Sequence, residues 1–256
     1  ISLLEAASEF IRVGQVKGIR VSTRPDCIDE EVLSILKSYG VTAIELGCQS
    51  MDDRVLRANL RGHDAEAVVR ASGLIKSKGF ELGLQMMTGL YRDTADAVLH
   101  TAEEFIELSP STVRIYPTVI LEGTHLGELY KQGEYRSFSF DDTVDLCAQL
   151  LRTFEDNGIK VIRMGLHASA DVEGAMLGGV YHPAFREICE SRLFLQDAMV
   201  AFSGKDKGSY ILYTDPRNIS RATGQKRCNI SALSQLGYDV KIKPLAGEYI
   251  KIHRGN

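Results

Sequence analysis

Ile44-Glu45-Leu46-Gly47-Cys48-Gln49-Ser50 is an apolar run that closes on polar side chains, and two other stretches share its plan. Ile19-Arg20-Val21-Ser22-Thr23-Arg24-Pro25-Asp26 precedes it, and Leu82-Gly83-Leu84-Gln85-Met86-Met87 follows. Buried strands that end repeatedly in charged or amide groups suggest a parallel sheet with its active site along the carboxyl edge. Between them lie amphipathic segments that finish on polar residues and a glycine: Leu36-Lys37-Ser38-Tyr39-Gly40, Ile75-Lys76-Ser77-Lys78-Gly79 and Phe154-Glu155-Asp156-Asn157-Gly158. Glycine suits the left-handed position after a helix because it carries no Cβ. Alternating helices and strands require parallel βαβ units. Strands are expected near 19–22, 43–47, 81–85, 112–116 and 160–164, too few to close an eight-stranded barrel.

Helical spacing supplies the covering layer. Val68, Ala71, Leu74 and Ile75 share one face, as do Val98, Ala102, Phe105 and Ile106, and a third stripe is Phe140, Val144, Cys147, Leu151 and Phe154. All three read as core. Asp29, Asp64 and Asp93 stand where helix N-caps belong. After about residue 195 the pattern changes to short apolar runs: 198–202, 210–213, 240–242 and 249–252. With one helical stretch over 217–236, and a hairpin loop expected at 203–208, this reads as a small α+β domain. The expected division is therefore 1–195 and 196–256.

The chain has 256 residues, 44% hydrophobic and 25% charged, with a formal charge of −4. That balance gives no global basic field for nucleic acid. No apolar run reaches the ~18 residues of a membrane span. Five scattered cysteines fit neither a disulfide framework nor a metal motif, and point to a reducing cytoplasm. Ile1 and an immediate helix read as a fragment lacking its true amino terminus.

Gln49 and Arg61 bring an amide and a guanidinium to one strand end, a pairing suited to a carboxylate ligand. Gln85, at the next strand end, suits a ribose or another neutral polar group. Glu45 faces the same way as Gln49 if the strand is regular, and lines a lumen or pairs with Arg24 or Arg114. Arg114 and Tyr116 share a face by their spacing. Arg24, Glu45, Arg114 and Tyr116 are the substrate-side candidates.

Thr23-Arg24-Pro25-Asp26, Tyr39-Gly40, the Glu45–Ser50 run and Arg61-Gly62-His63, continued by Gln85-Met86-Met87, Tyr116-Pro117-Thr118, Gly123-Thr124 and Leu129–Tyr135, resemble the radical S-adenosylmethionine (SAM) domain of Elongator's catalytic subunit. The Gly47-x-Gln49-Ser50 and Arg61-x-His63 blocks are also similar to oxygen-independent coproporphyrinogen oxidase-like proteins. The resemblance covers about residues 15–165 and implies an α/β fold, a partial (β/α) radical SAM barrel with a small carboxyl-terminal α+β domain. It implies SAM cleavage at a 4Fe-4S cluster, with tRNA or a small molecule as substrate. Gln49 and Arg61 would hold the methionine carboxylate and Gln85 the ribose, with backbone near Val119 and Ile120 flanking adenine. Ser22 stands where the family commonly has Glu, a contact to the SAM amino group. The cluster motif is absent from this chain, so its ligands are expected outside it, and the chain is expected to be inactive by itself. No residue here is assigned as catalytic or as a metal ligand.

His63, His167 and His182 show no metal spacing and read as cap or loop contacts. Arg217, Arg221, Lys226 and Arg227, near Tyr210 and Tyr213, suit an RNA backbone or simply a solvated surface. Rival readings are a non-catalytic nucleotide- or RNA-binding βα module and a barrel lyase, the latter opposed by the lack of a placed lysine. The exposed first strand is a candidate for pairing with a second copy.

Overall fold

Strands begin where the apolar period changes from that of a helix to alternation. The computed structural model, which describes residues 1–167 and 169–255, contains β1 (Ile19–Thr23), β2 (Val41–Gln49), β3 (Glu81–Thr88), β4 (Thr112–Pro117), β5 (Val119–Leu121), β6 (Lys160–Met164) and β7 (Met176–Gly179). Five of them form a parallel sheet in the order β1-β2-β3-β4-β6. These are the five strands expected from the sequence. β5 and β7, which the alternation did not reveal, form a separate antiparallel pair.

The intervening helices are α1 (Ser2–Arg12), α2 (Glu30–Ser38), α3 (Asp53–Ala58), α4 (Ala65–Ser77), α5 (Ala95–Leu108), α6 (His125–Lys131), α7 (Phe140–Asp156) and α8 (Ala170–Ala175). Asp29 and Asp64 cap α2 and α4, accepting from the amides of Val32 and Ala67. α5 is capped by Thr94, which accepts from Ala97, and not by Asp93 as its position suggested. Asp93 instead accepts from the Gly89 and Thr94 amides, closing the loop after β3.

Ile44, Leu46, Leu82, Leu84, Met86, Val113 and Ile115 are buried, as are the α4 and α5 stripes through Val68, Ala71, Ile75, Val98, Ala102 and Phe105. Each large apolar side chain so buried contributes about 1.5–3 kcal/mol. Phe140 does not belong to its expected stripe: it is exposed, with its ring edge toward His182. The sheet's other face alternates with the apolar one and carries Arg20, Ser22, Glu45, Gln85, Arg114 and Tyr116.

The chain divides into two compact units, one of residues 1–143 and 153–183, the other of 144–152 and 184–256. The expected boundary at 195 falls inside α9 (Phe185–Phe202), which belongs to the second unit. The expected strand at 198–202 is the last turn of this helix. Ala198 and Phe202 are buried while Met199 and Val200 are exposed, a helical and not a two-fold pattern. Residues 203–208 therefore join a helix to a strand and are no hairpin. The unit continues with β8 (Gly208–Thr214), α10 (Ile219–Thr223), α11 (Cys228–Gln235), β9 (Tyr238–Pro244) and β10 (Lys251–Arg254). Its sheet has the order β10-β8-β9, β8 and β9 being parallel. The helical stretch expected over 217–236 is broken at Gly224, and Lys226 and Arg227 both adopt left-handed backbone angles.

Candidate functional site

The carboxyl ends of β2 and β3 are joined through their side chains. β2 loses regular register with β3 beyond Gly47, and Gln49 takes a left-handed φ of 70°. The strand is thus not regular through 49, as the shared face of Glu45 and Gln49 had required. Gln49 nevertheless returns to that face, because a Cβ on Gly47 would lie 2.9 Å from Gln49 Nε2. Glycine at 47 leaves room for the amide, and Gln85 Nε2 donates to Gln49 Oε1 at 3.3 Å. With that bond made, Gln49 Nε2 is left as a donor and Gln85 Oε1 as an acceptor.

The segment carrying Arg61 is fixed from both ends. Met51 donates its amide to Thr101 Oγ1 of α5 at 2.9 Å, and the Ala65 amide donates to Asp53 Oδ1 at 2.9 Å. Asn59 bonds both backbone groups of Tyr91, tying this segment to the loop after β3. His63 Nε2 lies 3.1 Å from the Cys48 carbonyl, the loop contact expected of it. Burial lowers the Arg61 pKa, and the neighbouring Arg24 lowers it further. Arg61 Nε is buried without a hydrogen-bond partner among the described residues, as is His63 Nδ1. Arg61 lines a cleft of about 640 Å³ with Asp26, Leu60, Gly62 and His63. Arg24 is committed to Asp26 through two bonds, at 2.9 and 2.6 Å, and belongs to this corner rather than to the centre of the sheet face.

Toward the centre, Glu45 is 2% exposed and sits between strands. Ser22 Oγ of β1 donates to its Oε1 at 3.3 Å, and Arg114 Nε of β4 approaches its Oε2 at 2.7 Å. The latter approach is an ion pair off the hydrogen-bonding axis, since neither atom has an aligned partner. Glu45 reaches β4 across β3 at the position of Gly83, its register partner. Of the two pairings open to Glu45, the structure selects Arg114. Arg114 Nη1 in turn donates to the Tyr116 hydroxyl at 3.4 Å, and that bond and Glu45 raise the Arg114 pKa. Ser22, Glu45, Arg114 and Tyr116 thus form a polar chain across three strands.

Val119 and Ile120 lie in β5, in register with Gly179 and Gly178, and the Ile120 side chain is fully buried with Leu129 and Tyr135. This backbone is engaged in a ladder with β7. Sequence reasoning quoted Gly47 within a motif without giving it a structural role, and it passed over the roles of Gly83, Arg20 and Arg163. The available signal for Arg163 was a charge inside the apolar strand Val161-Ile162-Arg163-Met164. Arg217 and Arg221 of the second unit are paired with Asp215 and Glu190, which removes much of the expected basic cluster.

The Arg61 corner meets one test for an anionic ligand: a buried guanidinium nitrogen lacks an acceptor that a carboxylate would supply. A metal cluster finds no such match. Among the described residues no three His, Cys, Asp or Glu side chains are grouped so that they could hold a metal ion, and burial pushes the Cys48 and Cys189 thiols up, away from thiolate.

Residues 2–105 match the family model of the radical SAM superfamily, and residues 110–194 that of the radical SAM C-terminal domain. Elongator complex protein 3 of Homo sapiens is 37% identical over 137 residues, covering 52% of this chain and 25% of the relative. That of Dictyostelium discoideum is 32% identical over 180 residues, covering 69% and 31%. The chain therefore spans between a quarter and a third of the length of these relatives. In fold it is similar to the archaeal Methanocaldococcus infernus Elp3 with an N-terminus deletion, with a TM-score of 0.64, 24% identity and coverage of 70% of this chain and 42% of that one.

Proposed function

Because the chain belongs to the radical SAM superfamily, we propose that it forms part of the SAM-binding barrel of an enzyme that modifies tRNA. When bound, SAM and a 4Fe-4S cluster supply reductive cleavage of the sulfonium and a radical. In this reading the cluster's ligands come from outside these 256 residues, and no step is assigned to the cysteines here. The work of this chain is to bind and orient.

Arg61 receives the methionine carboxylate, since its buried Nε has no hydrogen-bond partner among the described residues. Gln49 Nε2 donates to the same ligand. Gln85 Oε1, oriented by the bond to Gln49, accepts from a ribose hydroxyl. Ser22 is held by Glu45 and offers at most a neutral contact to the amino group. Val119 and Ile120 contribute to an adenine site only through main-chain groups that β7 leaves free. Glu45, Arg114 and Tyr116 are assigned to the substrate side, whereas Arg24, bonded to Asp26 beside Arg61, is assigned to the carboxylate corner. The tRNA assignment takes its support from the Elongator relatives. Among the described residues no helix is long and apolar enough to cross a membrane, and cytoplasmic location is part of the proposal. So is pairing of β1 with a second copy.

The observation that carries this reading is the meeting of Gln49 and Gln85 over Gly47 at the strand ends that adjoin Arg61. Calorimetry with S-adenosylhomocysteine tests it. Arg61→Ala is expected to weaken binding about tenfold or more, the worth of one charge-assisted bond. Equal affinity in wild type and variant would remove the carboxylate role.

A further inference from the structure

The polar face of the five-stranded sheet is not neutral, and its excess charge has an address. Arg20 of β1 pairs with Glu81 of β3 at 2.7 Å, and Arg114 of β4 with Glu45 of β2 at 2.7 Å. The carboxylates that these strands place on that face are then committed. Arg163 of β6 is in register with Arg114, so two guanidinium side chains leave neighbouring strands on one face. Like charges side by side are destabilising. Arg163 Nε donates to the Gly165 carbonyl at 2.9 Å, and Arg163 makes no ion pair among the described residues. Its remaining N–H groups form a half-buried planar fork that matches carboxylate or phosphate oxygens. Next along β4, Tyr116 presents a hydroxyl already bonded to Arg114.

The geometry points to an anion site here: Arg163, with Arg114 beside it, binds a phosphate or carboxylate group of the molecule worked on at this face. Only the role of that molecule rests on the proposed radical SAM function; the anion site does not require SAM. Glu45 holds Arg114 in place and offsets its charge, leaving Arg163 as the group that selects for an anion. A neutral substrate would leave the fork unpaired in a half-buried position, which disfavours it.

The test titrates inorganic phosphate and, separately, acetate into the 256-residue chain, followed by calorimetry and by NMR of the arginine Nε–H signals. A saturable shift of the Arg163 signal is expected, and the stronger of the two anions names the substrate group. Arg163→Gln is expected to reduce that affinity about tenfold or more while leaving S-adenosylhomocysteine binding unchanged. Arg163→Lys keeps the charge, loses the fork, and is expected to bind several-fold more weakly than wild type; it carries the test if Arg163→Gln loses its cooperative thermal transition. Saturation by neither anion overturns the proposal, as does wild-type affinity in a folded Arg163 variant. Phosphate or acetate binding that persists in a chain unable to bind S-adenosylhomocysteine would instead remove the cofactor assignment and keep the anion site.

Discussion

A methyl group at position 83 would meet Thr112 Oγ1 at 2.9 Å, Arg20 Nη1 at 3.1 Å and Glu45 Cβ at 3.5 Å. Over this bare stretch of β3, Arg20 reaches Thr112 and Glu45 reaches Arg114, so one glycine lets β1 and β2 address β4. Gly83→Ala is expected to destabilise by about 1–3 kcal/mol through forced side-chain shifts, read as a lower urea midpoint. At Gly73, inside α4, an added methyl group would find nothing within 4 Å, so Gly73→Ala is expected to stabilise by about 0.5–1 kcal/mol. Equal effects at the two sites would sink the role given to the crossing over Gly83. The polar strand ends Gln49, Gln85 and Tyr116 were legible because alternation and the change to polar residues are local signals. Gly83 was not, because what crosses it comes from strands far away in the chain. The expected facing of Gln49 rested on a regular strand, whereas its return to the face depends on the break in register and on Gly47.

At the scale of elements, the loop between β3 and α5 is built around one carboxyl. Burial pushes Asp93 up to about 6, against the opposing bonds from Gly89, Thr94 and Leu90. Tyr135 donates to the Gly89 carbonyl, and burial with the nearby Asp93 charge pushes its hydroxyl up to about 12. The folded chain holds the Asp93 proton more tightly than the unfolded chain, where Asp ionises near about 3.9. Its stabilising contribution is therefore complete below about pH 4 and is lost as pH rises through about 6. The stability of wild type minus that of Asp93→Asn should fall between about pH 4 and pH 7 in urea titrations. A constant difference would exclude this titration. The α4 and α5 stripes were legible because their period is helical over several turns. The end of α9 was not, since five apolar residues fit a strand or a buried helical turn equally well until long-range packing chooses. β5 and β7 escaped for the same reason, being short and held by each other.

For the whole molecule, the proposed pairing with a second copy turns on the outer side of β1. Among the described residues β1 pairs with β2 alone, and a parallel edge of unpaired backbone groups is a template for another chain. Light scattering over a dilution series is expected to show a mass that rises with concentration; a monomer throughout would rule the pairing out. The order β1-β2-β3-β4-β6 also has a temporal meaning. Each strand leaves the ribosome after the neighbour it will join, so the sheet can be laid down during synthesis without waiting for a distant segment. A ribosome stalled once β3 has emerged would already expose a pair of finished ladders, and the site at their tips would begin to take shape before the second unit has been translated.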